Sequence, residues 1–185
     1  MREKPLRLTA ITAAGFVSIA CGCKWFDTEQ QVQELFDESD YTFIGQPIQA
    51  LNPAEKLDKR FLGYDVLMKV QTLKKGRMTT DTVVILQQES NCARRFILRD
   101  TLVVFGSKVA QLQRVRPDSQ QPDSGFADDG KTFLVNQPSR TFARYQKARA
   151  RYPVVVTSQC ISFNLRHLLV ARFIRAKADV PFARR

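Results

Sequence analysis

Histidine is nearly absent from this chain of 185 residues, and its scarcity argues against several classes of enzyme. The one histidine, His167, would have to serve any Ser-His-Asp or Cys-His arrangement. It falls in a segment with amphipathic helical spacing, where histidine is more typical of a surface or packing position than of a general base. The motifs G-x-x-x-x-G-K-[ST], H-E-x-x-H and G-x-S-x-G are missing as well. The sequence therefore predicts a protein that is not an enzyme and holds no cofactor.

The chain also lacks an apolar run long enough to cross a bilayer as a helix. Residues 8–20 are apolar and uncharged, whereas a spanning helix needs about 20 such residues. Basic residues precede this run, and the run ends in small residues directly before Cys21, which is the layout of a signal peptide. We predict an exported protein (secreted, periplasmic or in the cell envelope) with residues 1–20 removed, one domain over residues 21–185, and no transmembrane helix.

Two kinds of processing at Cys21 stay open. Ser18 and Ala20 suit an ordinary signal peptidase, which needs small side chains at the third and first positions before the cut. Ala20 also fits a lipoprotein box, although Ser18 stands where such boxes usually carry leucine. Either way the mature chain begins at Cys21, with a free amine in the first case and a lipid anchor in the second.

Acidic residues are too few to balance the basic ones. There are 29 Lys and Arg against 18 Asp and Glu, which gives a net charge of +11. This surplus favours acidic partners, such as anionic lipid or acidic glycan, while export makes nucleic acid a partner that we do not expect. The alternative is a surface that is basic only for solubility.

Cysteine is sparse but even in number: Cys21, Cys23, Cys92 and Cys160. In an oxidising compartment this number predicts two disulfides. Cys21 and Cys23 lie too close in sequence to bridge each other comfortably, so each needs a distant partner, and two pairings remain. A zinc site is disfavoured because the chain has neither a C-x-x-C pair nor a histidine cluster.

Short alternating segments predict a mainly β domain without internal repeats. Strands are predicted, with a bulge at Gly45 and a turn at Gly76, over residues 41–48, 63–73, 79–87, 96–98, 101–105 and 131–135, and residues 154–163 contain the last cysteine. Residues 116–131 are rich in Pro, Asp, Ser and Gln, which predicts a surface loop.

Helical spacing recurs in three places. Thr28 and Gln31 can form a capping box for a helix that ends near Ser39. Residues 140–151 form a basic stretch that can be helical and that Pro153 stops. A third helix begins near residue 165, with its apolar side predicted to pack on the core. Its opposite side is a predicted binding face for polyanions or anionic lipid, formed by Arg166, Arg172, Arg175 and Lys177.

The order of these elements resembles a known family. A Cys-x-Cys start is followed by a helix, by the strand Y-T-F-I-G at residues 41–45, by Y-x-V leading to L-K-K-G at residues 64–76, and by two late cysteines. This order is similar to the amino-terminal domain of tissue inhibitors of metalloproteinases and to netrin-like modules. The resemblance covers about residues 21–163, and the chain would be an exported, bacterial-type member.

The resemblance implies a five-stranded OB-type barrel with flanking helices, in which Cys21 bridges to Cys92 and Cys23 to Cys160. It further implies that the free amine and carbonyl of Cys21 chelate the catalytic zinc of a metalloprotease, with Gly22 facing the substrate pocket. A terminal amine has a pKa of about 7.7 to 8.0, so a neutral fraction that can bind zinc exists at physiological pH. No metal is intrinsic to such an inhibitor.

Three functions follow as hypotheses. The first is an exported, non-enzymatic interaction module that inhibits a zinc metalloprotease through the Cys21 amine. The second is a membrane-tethered lipoprotein with a structural or envelope role. It excludes the first, because an acyl chain on the Cys21 amine would remove the zinc donor. The third is a basic module that binds acidic glycan or lipid.

Overall fold

The computed structural model describes residues 26–56, 58–88, 93–115, 124–158 and 161–183. The helices are α1 (Glu29–Glu38), α2 (Ser139–Arg149) and α3 (Leu168–Ala176), and a 3-10 helix spans Pro53–Glu55. The strands are β1 (Tyr41–Ala50), β2 (Phe61–Gly63), β3 (Val66–Lys75), β4 (Thr82–Gln87), β5 (Phe96–Ile97), β6 (Leu102–Lys108), β7 (Gln111–Arg114), β8 (Gly125–Phe126), β9 (Thr132–Val135), β10 (Val154–Thr157) and β11 (Ser162–Asn164). The predicted signal segment, residues 1–20, lies outside the described residues.

Five strands close into a barrel. Their order is β1, β3, β4, β10 and β6, and β6 pairs back with β1 to complete the wall. All neighbours are antiparallel except β10 and β4, which run parallel. The molecule is therefore mainly β, as the sequence pattern predicts, with the five-stranded OB-type barrel and flanking helices that the resemblance implies.

Strand β1 bends so that it can pair on both sides. It pairs with β3 along its length and with β6 only over its first half. The register with β3 shifts between Ile44 and Gly45, which confirms the predicted bulge. A Cβ atom on Gly45 would lie only 2.9 Å from the carbonyl oxygen of Lys69, so the close approach of β3 requires glycine there.

The apolar residues form three buried clusters. The first fills the barrel and includes Phe43, Met68 and Val104. The second lies outside β4 and β10, under α2 and the small sheet of β7, β9 and β8. The third joins α1 and α3 to the outer face of β6 through Val103 and Phe105. The predicted packing of the third helix on the core is thus confirmed.

Helix α1 begins at a capping box, as the sequence predicts. Gln31 N–H donates to Thr28 Oγ1, and Thr28 N–H donates to Gln31 Oε1. The helix ends before Ser39, and its Val32 is fully buried against α3 and β6. Among the described residues, no helix combines the length and apolar character that a bilayer crossing needs.

The connection from β6 to β10 contains a small sheet of three strands. Strand β7 pairs parallel with β9, and β8 pairs antiparallel with the other edge of β9. The sequence predicts a surface loop over residues 116–131, and this is wrong for Gly125–Phe126, which form β8. Residues 116–123 of that predicted loop lie outside the described part. Helix α2 follows β9, and the chain returns to the barrel through β10.

The carboxyl-terminal segment packs along β3, where β4 no longer covers it. Val180 N–H donates to the carbonyl of Leu73 over 2.7 Å, and Ala183 N–H donates to that of Met78 over 2.8 Å. Val180 and Phe182 pack against the cluster inside the barrel. This segment therefore covers one side of the barrel.

Candidate functional site

Helix α2 presents a stripe of cations to solvent. Arg140, Arg144 and Lys147 are exposed, and Arg151 is exposed in the turn that continues the helix. Their spacings of four, three and four residues put the side chains on one face. Because α2 contains no acidic residue, the stripe has no countercharge from its own helix.

Buried contacts on the opposite side fix α2 in place. Tyr145 is fully buried, and its hydroxyl donates a 2.6 Å hydrogen bond to Oδ2 of Asp65, just before β3. Gln146 Nε2 donates to the carbonyl of Leu112 over 3.0 Å, which joins the helix to β7. The apolar Ala148 packs in the second cluster. The cations are thus carried on a helix that is held to the barrel and to the small sheet.

A cavity of about 400 Å³ lies between α2 and the end of β1. Its apolar lining comes from Leu51, Leu67 and Ala148, and its basic lining comes from Arg144, Lys147 and Arg151. Tyr152 contributes an aromatic wall. We call this cavity the basic groove. Its volume lies at the lower end of the range of ligand sites, and it combines an apolar floor with basic walls.

The charge of the basic groove is not neutralised. None of the described residues that line it is Asp or Glu, and the chain has no acidic residue between Gly130 and Ala178. The ion pairs found among the described residues lie elsewhere, between Lys69 and Asp81, Lys74 and Asp179, and Arg172 and Glu29. A concave surface with one sign of charge concentrates ligands of the opposite sign.

A carboxylate in the connection after β1 is already engaged. Glu55, in the 3-10 helix after β1, accepts hydrogen bonds at Oε1 from the side chains of Asn52 and Gln137. Its Oε2 accepts from Tyr64 N–H over 3.1 Å. These bonds join the 3-10 helix to Tyr64 and to Gln137 and keep that carboxylate occupied.

The basic groove lies at a place where OB-type barrels commonly bind ligands. One wall begins in the connection between the first and second barrel strands, and the other wall is α2, in the connection between the fourth and fifth. In OB-type barrels these two connections and the face beside them bind oligonucleotides and oligosaccharides.

Two of the four residues in the predicted basic face of α3 are engaged by contacts with α1. Arg172 forms an ion pair with Glu29 of α1. Lys177 Nζ donates to Gln33 Oε1 over 2.7 Å and lies 4.5 Å from the ring centroid of Phe173. Arg166 and Arg175 have exposed side chains. Its affinity for polyanions or lipid stays a prediction.

The predicted disulfide and zinc-chelating residues Cys21, Gly22, Cys23, Cys92 and Cys160 lie outside the described residues. Their described neighbours come together on one side of the domain. The ring centroid of Phe26 is 5.4 Å from that of Phe163, and the guanidinium of Arg94 donates to the carbonyl of Ser162. The pairing itself stays a prediction.

His167 lies at the start of α3, where it caps the helix. It is the N-cap of α3, and its Nδ1 accepts from Val170 N–H over 3.4 Å. Its ring also meets Phe163 edge-on, with 5.2 Å between centroids. In the part of the chain that the structure describes, no three His, Cys, Asp or Glu side chains come together as a metal site would require.

The residues that sequence reasoning left out of the site are Arg144, Lys147 and Arg151. The sequence indicates a basic, helical stretch there, but no local sequence pattern shows that this stretch lines a cavity. The available signal is the long interval without Asp or Glu after Gly130, which leaves the cations of α2 without acidic neighbours in sequence.

Comparison of the chain with protein-family models, curated proteins and solved structures finds no match. The resemblance to tissue inhibitors of metalloproteinases therefore rests on the sequence motifs alone. The basic groove is interpreted from its own geometry and charge.

Proposed function

We propose that this domain is an exported, non-enzymatic module that binds an acidic glycan in the basic groove. One observation carries the proposal: Arg144, Lys147 and Arg151 line a cavity whose floor is apolar and whose described lining has no carboxylate. Arginine presents a planar fork of donors that matches sulfate and carboxylate groups. The flat faces of a sugar ring suit the apolar floor and Tyr152.

Charge and shape favour a glycan over a lipid surface. A protein that lies on a membrane inserts apolar side chains on the same face as its cations. The large apolar side chains that are exposed in the described residues are Ile48, Leu98 and Leu168, and none of them lines the basic groove. A concave groove also suits a chain that enters it better than a flat bilayer.

Charge-matched variants test the proposal. The groove variant Arg144→Gln/Lys147→Gln/Arg151→Gln and the control variant Arg166→Gln/Arg172→Gln/Arg175→Gln on α3 each lose the same charge. Exposed ion pairs contribute about 0.2 to 1 kcal/mol each, so losing three of them should weaken the binding of heparin-type oligosaccharide about 3- to 150-fold relative to the wild type. The measurement is calorimetric titration at two salt concentrations, and the loss should be larger at low salt.

The control decides between a site and a diffuse charge effect. We expect the α3 variant to lose much less affinity than the groove variant. Equal losses would mean that only net charge matters, and a larger loss for the α3 variant would place binding on the predicted basic face. Either result contradicts binding in the basic groove. Circular dichroism of all three proteins checks that they are folded.

We propose metalloprotease inhibition through the Cys21 amine as a second candidate function. The contact of Phe26 with Phe163 and that of Arg94 with Ser162 bring described neighbours of Cys23, Cys92 and Cys160 together, as the disulfides that would fix this terminus require. In this proposal the Cys21 amine donates to the protease zinc, and Gly22 places no side chain in the substrate pocket.

A one-residue extension tests the inhibitor proposal. Adding Ala before Cys21 converts the amine into an amide, which is a poor zinc ligand, and should abolish inhibition while leaving glycan binding unchanged. Inhibition of several zinc metalloproteases is measured with both proteins at high concentration. Equal behaviour of the two, including no inhibition by either, contradicts this candidate. Mass spectrometry of the amino terminus then distinguishes a free Cys21 from the acylated residue of a tethered lipoprotein.

A further inference from the structure

A second basic cavity adjoins the basic groove. It has a volume of about 310 Å³ and is lined by Arg77, Thr79, Arg149, Arg151, Tyr152 and Pro153, among others. As in the basic groove, none of its described lining residues is Asp or Glu. Arg77 and Thr79 come from the turn after β3, and the others come from the end of α2 and the start of β10. We call it the turn cavity.

The turn that carries Arg77 is fixed by its surroundings. Gly76 has a φ of +96°, and a Cβ atom there would lie 2.3 Å from Cδ1 of Tyr41, so only glycine fits. Met78 is buried, and its carbonyl accepts a hydrogen bond from Ala183 N–H. Arg77 therefore extends from a turn that is held on both sides.

Arg149 is also held in place. Its Nη2 donates to the carbonyl of Ala110, and the residue is half-buried. A guanidinium has five N–H donors, so this one bond leaves others that can reach an anion. A preorganised cation binds an anion with less loss of side-chain entropy than a mobile one.

The two cavities share a wall made of Arg151 and Tyr152. The backbone N–H groups of both residues donate to the carbonyl of Ala148 over 3.0 Å, which fixes them to the end of α2. Arg144 lies seven residues before Arg151, a separation of about 10 Å along α2 and the turn that continues it. A ligand that occupies both cavities must therefore extend past Tyr152 and carry anionic groups on both sides of it.

We infer that the basic groove and the turn cavity together bind one linear acidic glycan at two of its anionic groups, with Tyr152 between them. The inference rests on the proposed function and makes it more specific. Arg144 and Lys147 contact one anionic group in the basic groove. Arg77 and Arg149 contact the next one in the turn cavity. The domain then selects for chain length and repeated charge.

A length series tests this inference. The ligands are sulfated oligosaccharides from disaccharide to octasaccharide, measured by calorimetric titration with the full chain and its variants Arg77→Gln, Arg144→Gln and Arg175→Gln. Wild-type affinity should rise steeply from disaccharide to hexasaccharide. Arg77→Gln should leave disaccharide binding unchanged and weaken octasaccharide binding about two- to fivefold, the effect of one exposed charge contact, so that the rise with length is smaller by that factor. Arg175→Gln is the charge-matched control and should behave as the wild type.

The variants separate the two levels of the proposal. If Arg77→Gln keeps the full dependence on length while Arg144→Gln weakens all ligands, the turn cavity is not part of the site, and the inference fails while glycan binding in the basic groove stands. If Arg144→Gln has no effect either, the proposed function fails as well. A single-stranded oligonucleotide of matched charge that binds more tightly, with the same dependence on Arg77, would overturn the glycan as the ligand class. Unchanged thermal midpoints confirm that each variant is folded.

Discussion

The hydroxyl of Tyr145 donates a 2.6 Å hydrogen bond to Oδ2 of Asp65, and this bond joins α2 to the barrel. Asp65 Oδ1 accepts from Gln87 N–H over 3.1 Å. The side chain of Gln87 in turn donates to the carbonyls of Tyr64 and Arg94. One carboxylate thus connects the helix that carries the cations, the start of β3 and the end of β4.

We expect Tyr145→Phe to lower the free energy of unfolding by about 1 to 3 kcal/mol, because it removes a donor from a partly buried carboxylate. Tyr152→Phe is the matched control, since its hydroxyl makes no hydrogen bond within the described residues. Urea unfolding of both variants measures the difference. A loss for Tyr145→Phe no larger than that of the control would contradict the role given to this bond.

The carboxyl-terminal segment should contribute to stability through Phe182, which packs half-buried on the cluster inside the barrel. Replacing a completely buried phenylalanine with alanine lowers the free energy of unfolding by about 3 to 5 kcal/mol. Because Phe182 is only half-buried, Phe182→Ala should lower it by roughly 1 to 3 kcal/mol. Leu168→Ala removes an apolar side chain that is 83% exposed and should change stability by less than about 0.5 kcal/mol. Equal effects in denaturant unfolding would show that the segment is dispensable.

Asp129 should make stability depend on acid pH. Hydrogen bonds from Thr132 N–H, Thr132 Oγ1 and Lys131 N–H lower the pKa of its carboxyl below the usual value. The ionised form is therefore favoured in the folded state, and its contribution is present above the unfolded pKa and lost as the pH falls through the folded pKa. Asp129→Asn should lower the thermal midpoint at pH 7, and its difference from the wild type should shrink as the pH falls below about 4, the usual pKa of an aspartate carboxyl.

Asp128→Asn serves as the control for that experiment, because Asp128 accepts none of these three hydrogen bonds. Its thermal midpoint should follow the wild type at both pH values. A constant difference between Asp129→Asn and the wild type from pH 7 down to about 2 would rule out the linkage, since a titrating contribution must vanish in acid.

The disulfide pairing that we predict is Cys21 with Cys92 and Cys23 with Cys160. In the chain-entropy model, closing loops of this length contributes on the order of 4 kcal/mol each, so reduction should greatly lower the thermal midpoint. Non-reducing peptide mapping of protein from an oxidising compartment identifies the bridges. The crossed pairing, or free thiols, would refute this assignment.

Local signals were sufficient for several elements. The capping box of Thr28 and Gln31 needs only residues within one turn, and the structure confirms it. The alternation in residues 63–73 predicts β3, because one face of that strand packs inside the barrel. Gly45 predicts its own bulge, since a missing side chain in a strand marks a close approach of backbone.

Elements that depend on distant partners could not be predicted. Strand β8 is only Gly125–Phe126, and its extended form comes from pairing with β9 instead of from its own pattern. The basic groove needs α2 to meet the end of β1, and the bond that fixes this joins Tyr145 to Asp65 across the chain. The cations of α3 look equivalent in sequence, but two of them are engaged by α1, which no periodicity reveals.

The place of β10 between β4 and β6 has a consequence for how the molecule folds. The barrel wall is incomplete until this strand, which follows a long connection, enters a gap between two strands that precede it in the chain. Contacts between residues far apart in sequence slow folding, so closure should be a late and slow event. Because α2 leads directly into β10, the cations of the basic groove reach their final positions only at that event. A partly folded chain would then carry the same charges without the ability to select a ligand.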